Sequence, residues 1–213
     1  METARQPRCQ SGLGGRQINT RHAYLRESQF PGPRLYLRNQ LVAFELRAVD
    51  RHPSIVKTLR WADEGATQVF AQALAQCPAI VHAFIALHGD LGAGKTTLVR
   101  HLLRAMGETG RIKSPTYAVV EPYELPAANV WHFDFYRFAD PREWEDAGFR
   151  DIFASPGLKL AEWPEKAATM LPVTDLDITL VADSESQRQV TLTARTPIGL
   201  ALLHAVLGDG VSP

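Results

Sequence analysis

One segment of the chain combines glycines, a lysine and a hydroxyl at the spacing that phosphate groups require. Residues 89–96 read Gly-Asp-Leu-Gly-Ala-Gly-Lys-Thr, which matches the pattern G-x-x-x-x-G-K-[ST]. Glycines let backbone N–H groups turn inward around phosphate oxygens without Cβ clashes. The segment therefore predicts a phosphate-binding loop made of Gly89, Asp90, Leu91, Gly92, Ala93, Gly94, Lys95 and Thr96.

Three consecutive side chains at the end of this loop have separate expected roles. Lys95 is expected to reach the β- and γ-phosphates, and the Thr96 hydroxyl is placed to ligate Mg²⁺. Thr97 is placed to contact the α-phosphate. A helix beginning near Lys95 would direct the positive end of its dipole at the same anion. The expected ligand is a nucleoside triphosphate with Mg²⁺.

Two acidic residues follow apolar segments further along the chain. Asp134 comes after residues 130–133, and Glu162 comes after residues 158–161. Ligands of open α/β sheets bind at the carboxyl ends of strands, where such an acid holds Mg²⁺ or positions the attacking water. The spacing leaves open which of the two ligates Mg²⁺, and a merely solvated strand-end acid is the alternative for each.

Other polar residues have weaker signals. The loop Lys113–Tyr117 lies where switch loops usually lie, and a hydroxyl there could sense the γ-phosphate, although a plain Ser-Pro turn explains it equally well. Arg111, Arg137 and Arg150 are possible charge stabilisers, with surface ion pairs as the favoured alternative. His132 is interpreted as a structural strand histidine rather than a ligand.

The expected nucleotide is ATP. Guanine recognition by GTPases uses Asn-Lys-x-Asp, and none of the three asparagines, Asn19, Asn39 and Asn129, is followed by lysine. No Arg-rich lid typical of nucleotide kinases is visible. Two other functions stay open: a small kinase that phosphorylates a metabolite, and a nucleotide-dependent binding module.

Alternating apolar segments predict the elements that must position these residues. The predicted fold is α/β, a P-loop NTPase-like sheet core that is mostly parallel, has an antiparallel C-terminal edge and is flanked by helices. Strands are predicted at 55–61, 84–88, 117–123, 130–135, 158–163, 176–181 and 189–194. Helices are predicted at 62–76, 95–106, 141–147, 164–170 and 197–207.

The formal net charge of zero conceals two unlike segments. Residues 1–52 hold nine arginines and four acids, a net charge of +5, so the remaining 161 residues carry −5. We predict an Arg-rich, disordered extension at 1–53 and a P-loop ATPase domain at 54–213. A start site placed too far upstream would also explain the extension, although no Met lies between Met1 and Met106.

The rest of the composition limits the cellular compartment and the binding partners that we expect. Two cysteines, Cys9 and Cys77, cannot form a multi-bridge framework, which favours a reducing compartment. A cytoplasmic location is expected from this cysteine usage. No run of 18 uncharged apolar residues exists, so no membrane span is expected. The acidic main segment makes strong independent binding of nucleic acid unexpected, because phosphate contacts need Lys and Arg.

Five motifs occur in order and together carry a family resemblance. They are Trp61–Glu64 (WADE), Leu87–Thr97 (LHGDLGAGKTT), Lys113–Tyr117 (KSPTY), His132–Arg137 (HFDFYR) and Glu162–Glu165 (EWPE). From about residue 59 to about residue 207 the chain resembles the TsaE family, small bacterial ATPases of tRNA threonylcarbamoyladenosine biosynthesis. Residues 1–53 depart from the pattern of that family.

The resemblance implies a function and assigns residues to it. It implies a P-loop α/β fold with weak, Mg²⁺-dependent ATPase activity and the partners TsaB and TsaD, of which TsaD modifies adenosine 37 of tRNA. The tRNA would be held by those partners. Carried over, Lys95 and Thr96 would bind phosphate and metal, and Glu162 would be the second Mg²⁺ ligand. Asp134 would be the Walker-B-like acid, Thr116 the switch residue and Trp163 a functional aromatic beside the site.

Overall fold

Seven strands form one mixed sheet in the computed structural model, which describes residues 54–208. The extension predicted at 1–53 lies outside the described residues. Across the sheet the order is β1-β7-β6-β2-β5-β4-β3. The strands are β1 (Ile55–Trp61), β2 (Phe84–His88), β3 (Val120–Glu124), β4 (Asn129–Asp134), β5 (Leu158–Glu162), β6 (Leu176–Ala182) and β7 (Arg188–Ala194).

The centre of the sheet is parallel and both flanks are antiparallel. The pairs β4–β5, β5–β2 and β2–β6 are parallel, whereas β6–β7, β7–β1 and β3–β4 are antiparallel. The predicted fold class is therefore confirmed, including the antiparallel pairing of the C-terminal hairpin. The structure adds that β1 pairs outside this hairpin and forms the edge strand itself.

Helices cover the sheet on both faces, which explains why the central strands β2 and β5 are buried almost throughout. The helices are α1 (Glu64–Gln76), α2 (Lys95–Ala105), α3 (Pro141–Asp146), α4 (Phe149–Ala154) and α5 (Pro197–Leu207). One core joins the sheet to α1, α2 and α5 through side chains such as Leu74, Leu98 and Leu202. A second, aromatic core joins the other face to α3 and α4.

The bounds of most predicted elements lie within one residue of the observed ones, and three elements differ by more, for local reasons. Helix α1 begins at Glu64 rather than 62, because the Asp63 carboxylate caps it by accepting from Ala66 N–H at 2.9 Å. The strand predicted from 117 begins only at Val120, since Val119 has φ +65° in a turn. The helix predicted over 164–170 is a 3₁₀ helix at Pro164–Ala167.

Helix α4 was absent from the sequence prediction. Gly148 suggests the end of the preceding helix, and it does adopt φ +67° there. The chain, however, turns at this glycine directly into Phe149–Ala154, and Phe149 packs into the aromatic core. No helix within residues 54–208 is long and apolar enough to cross a membrane.

Candidate nucleotide-binding site

The glycine-rich loop connects β2 to α2 at the carboxyl edge of the parallel strands. Gly89 has φ +129°, and a Cβ there would overlap the carbonyl oxygen of Leu180 on β6. Gly94 has φ +107° and occupies the N-cap position of α2. The Arg188 guanidinium holds the loop from β7, donating to the Ala93 carbonyl at 2.8 Å. Neighbouring strands therefore fix the loop from outside its own sequence.

Lys95 is buried at the base of this loop, with 4% of its surface exposed. Its Nζ donates to the carbonyls of Gly89 at 2.6 Å and Asp90 at 2.9 Å, and lies 4.0 Å from the ring centroid of Trp163. Burial lowers the pKa of Lys95, although the Glu162 carboxylate opposes that shift. The Lys95 ammonium has already lost much of its hydration, so a phosphate oxygen that binds to it would displace little water.

Thr96 joins the loop helix to the end of β5. Its hydroxyl lies 2.8 Å from Oε1 and 3.0 Å from Oε2 of Glu162, which is 3% exposed. Oε1 of the same carboxylate also lies 2.9 Å from Nε2 of His132 on β4. The sequence-predicted metal residues Thr96 and Glu162 are thus in direct contact.

Asp134 ends β4 directly beside Glu162, since the two residues are register partners in the parallel β4–β5 pair. The hydroxyls of Ser114 and Thr116 both donate to Oδ2 of Asp134, with Thr116 at 2.8 Å. The Tyr136 N–H donates to Oδ1 at 3.0 Å. The loop predicted to act as a switch is therefore tied to the acid of the neighbouring strand.

Aromatic side chains border the acids. Trp163 follows Glu162 in a left-handed conformation, φ +57°, and its ring lies 5.0 Å from that of Tyr136. Left-handed backbone is costly for a bulky residue and recurs at functional sites. The Arg137 guanidinium lies 4.5 Å over the Tyr117 ring.

Lys95, Thr96, Asp134, Glu162 and Trp163 all line one cleft of about 550 Å³, a size common for small-molecule sites. Gly89, Asp90 and Ala93 belong to the loop but do not line the cleft. Arg111 and Arg150 are exposed and lie outside this cleft. The predicted residues that line it are Leu91, Gly92, Gly94, Lys95, Thr96, Thr97, Thr116, Asp134, Glu162 and Trp163.

Arg137, one of the three arginines considered above as charge stabilisers, also lines the cleft, together with Ser114 and Tyr136, which are not among the predicted site residues. The Ser-Pro-Thr and Tyr-Arg motifs contain them, but the loop geometry that turns them inward is not visible in the sequence. Phe135 N–H still pairs with the Glu162 carbonyl at 3.0 Å, which carries the β4–β5 pairing past the strand end and directs the following residues to the cleft. His132, which the sequence suggests is a structural strand histidine, is buried in the sheet with its Nε2 atom against the carboxylate of Glu162.

The donor chemistry suits Mg²⁺. A hydroxyl and carboxylates are hard oxygen ligands, which Mg²⁺ prefers, and it usually takes only one or two carboxylates besides phosphates and water. In residues 54–208, no group of three or more His, Cys, Asp or Glu is placed to hold a metal ion.

The buried strand, glycine-rich loop and helix with Lys95 and Thr96, beside acids at neighbouring strand ends, define a P-loop NTPase-like α/β protein. A crystal structure of Bacillus subtilis YdiB has this fold, with a TM-score of 0.58 and 24% identity, and the match covers 73% of the chain and 97% of YdiB.

The chain belongs to the TsaE family of tRNA threonylcarbamoyladenosine biosynthesis. The family model, described as Threonylcarbamoyl adenosine biosynthesis protein TsaE, matches residues 61–190. TsaE of Haemophilus influenzae is 40% identical over 136 residues, which are 64% of this chain and 85% of that protein. TsaE of Bacillus subtilis is 34% identical over 110 residues, 52% of this chain and 68% of that protein.

Proposed function

We propose that the chain is an Mg²⁺-dependent ATPase that supports threonylcarbamoylation of adenosine 37 in tRNA, acting with TsaB and TsaD. Family membership supports the pathway. The observation that carries the ATPase activity is the contact of Thr96 with Glu162 beside the buried Lys95, because these groups would surround the terminal phosphates of a nucleotide bound in the loop.

Each residue has a defined task in this proposal. Loop N–H groups and Lys95 bind the phosphates, and Thr97 contacts the α-phosphate. Thr96 and Glu162 would hold Mg²⁺, which when bound neutralises charge that develops on the phosphates. Asp134 positions the attacking water. Thr116 is the switch residue, whose hydroxyl donates a hydrogen bond to the Asp134 carboxylate. Trp163 packs against Lys95.

Protein partners rather than this chain would hold the tRNA. The segment from residue 53 onward carries 14 basic and 19 acidic residues, which disfavours direct binding of a polyanion. The pathway role implies a cytoplasmic protein. Residues 54–213 would form the ATPase domain, and residues 1–53 an Arg-rich extension, which N-terminal sequencing of the native protein tests.

Reconstitution with TsaB and TsaD, tRNA, ATP labelled on the γ-phosphate and the threonylcarbamoyl donor tests the proposal. We expect multiple rounds of threonylcarbamoyladenosine formation, with label released as inorganic phosphate. Formation unchanged by omission of the chain would contradict the pathway role. Label on a metabolite hydroxyl would instead identify a small P-loop kinase.

A further inference from the structure

His132 is a fully buried histidine with an incomplete set of hydrogen bonds. It lies on β4 two residues before Asp134, and none of its surface is exposed. Among residues 54–208 its Nδ1 atom has no hydrogen-bond partner, whereas buried polar atoms in proteins are nearly always paired. Its other nitrogen, Nε2, lies 2.9 Å from Oε1 of Glu162. The polar contact of this side chain is thus directed to one acid of the cleft.

The direction of that hydrogen bond follows from the chemistry of the acceptor. An ionised carboxylate only accepts hydrogen bonds, so Nε2 of His132 carries the hydrogen and donates to Glu162. Glu162 Oε1 then accepts from both His132 and the Thr96 hydroxyl, while in the described part of the chain Oε2 has only the Thr96 hydroxyl as a partner, at 3.0 Å. Oε2 therefore keeps accepting capacity toward the cleft.

The two donors to Glu162 come from different parts of the fold. Thr96 belongs to the first turn of α2, beside the phosphate loop, and its oxygen is needed by the metal in the proposed function. His132 belongs to the sheet, where β4 pairs with β5 over residues 130–134. The contact with His132 therefore does not depend on the state of the loop.

We propose that His132 is a positioning residue that orients the Glu162 carboxylate for Mg²⁺. The proposal rests on the proposed Mg²⁺–nucleotide site and adds a residue that touches neither nucleotide nor metal. Partners in the outer shell of metal sites typically change metal affinity by 10–100-fold when they are lost. We expect a loss at the low end, about 10-fold, since Thr96 still contacts the same carboxylate.

The test uses the full chain and four forms: wild type, His132→Gln, His132→Asn and His132→Leu. A glutamine amide nitrogen lies where Nε2 of histidine lies and so reaches Glu162, whereas asparagine has the same chemistry but stops at the Nδ1 position. Leucine removes the donor altogether. Comparing His132→Gln with His132→Asn therefore separates the effect of the hydrogen bond to Glu162 from the effect of a polar side chain at this position.

Calorimetry gives the ADP dissociation constant of each form in EDTA and in saturating Mg²⁺. The dissociation constant in EDTA divided by the constant in Mg²⁺ gives a ratio that measures the coupling between metal and nucleotide. We expect equal affinities in EDTA, a wild-type ratio well above 1, a similar ratio for His132→Gln and a ratio about 10-fold lower for His132→Asn and His132→Leu.

The outcomes distinguish this proposal from the function on which it rests. A wild-type ratio of 1 would contradict the proposed Mg²⁺ site itself. A wild-type ratio above 1 that persists in the Asn and Leu variants would overturn the role of His132 alone. Loss of ADP binding in EDTA in all three variants would assign His132 to folding and would also overturn it.

Discussion

The hydroxyl of Thr96 lies 2.8 Å from Oε1 of Glu162, although the two residues are 66 positions apart. One begins the helix after the phosphate loop, and the other ends the central strand β5. Both lie at the carboxyl edge of the parallel strands, where open α/β sheets bind ligands. The contact therefore brings together the phosphate-binding and metal-binding halves of the proposed site.

Glu162→Gln should separate metal use from nucleotide binding. The amide keeps the size of the side chain but removes the negative charge that Mg²⁺ requires. We expect ATP hydrolysis to fall by at least about 10²-fold, with ADP affinity in EDTA within a few-fold of wild type. Phosphate release and calorimetry measure the two quantities, and Glu143→Gln on the exposed face of α3 is the matched control. Undiminished hydrolysis in Glu162→Gln would contradict the proposed role of Glu162 in holding Mg²⁺.

Thr116→Val should weaken turnover more than binding. Valine keeps the shape of threonine but removes the hydroxyl that donates to Asp134 at 2.8 Å, leaving Ser114 as the hydroxyl donor to that oxygen. We expect kcat to fall about 10-fold, equivalent to about 1.4 kcal/mol, with little change in KM. The exposed Thr58→Val on β1 serves as control. A change confined to KM would mean that Thr116 binds nucleotide rather than supports the acid.

Gly89→Ala should destabilise the fold more than Gly92→Ala. Both positions have positive φ, which costs an alanine about 1–3 kcal/mol. At Gly89 the new methyl group would also overlap the Leu180 carbonyl, whereas at Gly92 it meets nothing within 4 Å. Urea unfolding of the two variants measures the difference. Equal free energies of unfolding would contradict the observed packing of the loop on β6.

Asp177→Asn should lower the free energy of unfolding at neutral pH, and this loss should be smaller at acidic pH. Burial opposes ionisation of Asp177, but hydrogen bonds from His88, Arg195 and Thr174 outweigh it and hold its pKa below the usual 3.8. A depressed pKa contributes stability above the unfolded value, and this contribution is lost as the pH falls through the folded value. We expect a deficit of about 1–2 kcal/mol at pH 7 that shrinks below about pH 4.

Urea unfolding at pH 7, 5, 4 and 3.5 measures that deficit. Asp183→Asn is the control, because its ion pair with Arg60 is largely exposed and should contribute less than about 1 kcal/mol. A deficit for Asp177→Asn that grows on acidification would reverse the predicted sign and contradict the assignment.

Local patterns in the sequence were sufficient to predict the phosphate loop, the strand before it and the helix after it. Each depends on residues close in sequence: apolar Phe84–Leu87, the glycines, and a helical run from Lys95. The positions of Asp134 and Glu162 at strand ends follow from the same kind of pattern, as does the resemblance to the TsaE family.

Contacts between strands could not be predicted in this way. That His132 reaches Glu162 depends on the β4–β5 register, which pairs Asp134 with Glu162 and is not encoded by either strand alone. The turn at Val119 is closed by a hydrogen bond from its N–H to the Pro115 carbonyl at 2.7 Å and gives no clear sequence signal, since β-branched residues rarely adopt positive φ.

The most direct test of the central claim is ATP hydrolysis by Lys95→Ala compared with wild type and with Lys166→Ala. Lys95 is buried at the base of the loop, whereas Lys166 is an exposed lysine on the 3₁₀ helix after Trp163. Phosphate release from Mg-ATP is measured with the partner proteins TsaB and TsaD present. We predict that Lys95→Ala loses ATP binding and hydrolysis while Lys166→Ala keeps both. Unchanged hydrolysis in Lys95→Ala would contradict the assignment of this cleft as the ATPase site.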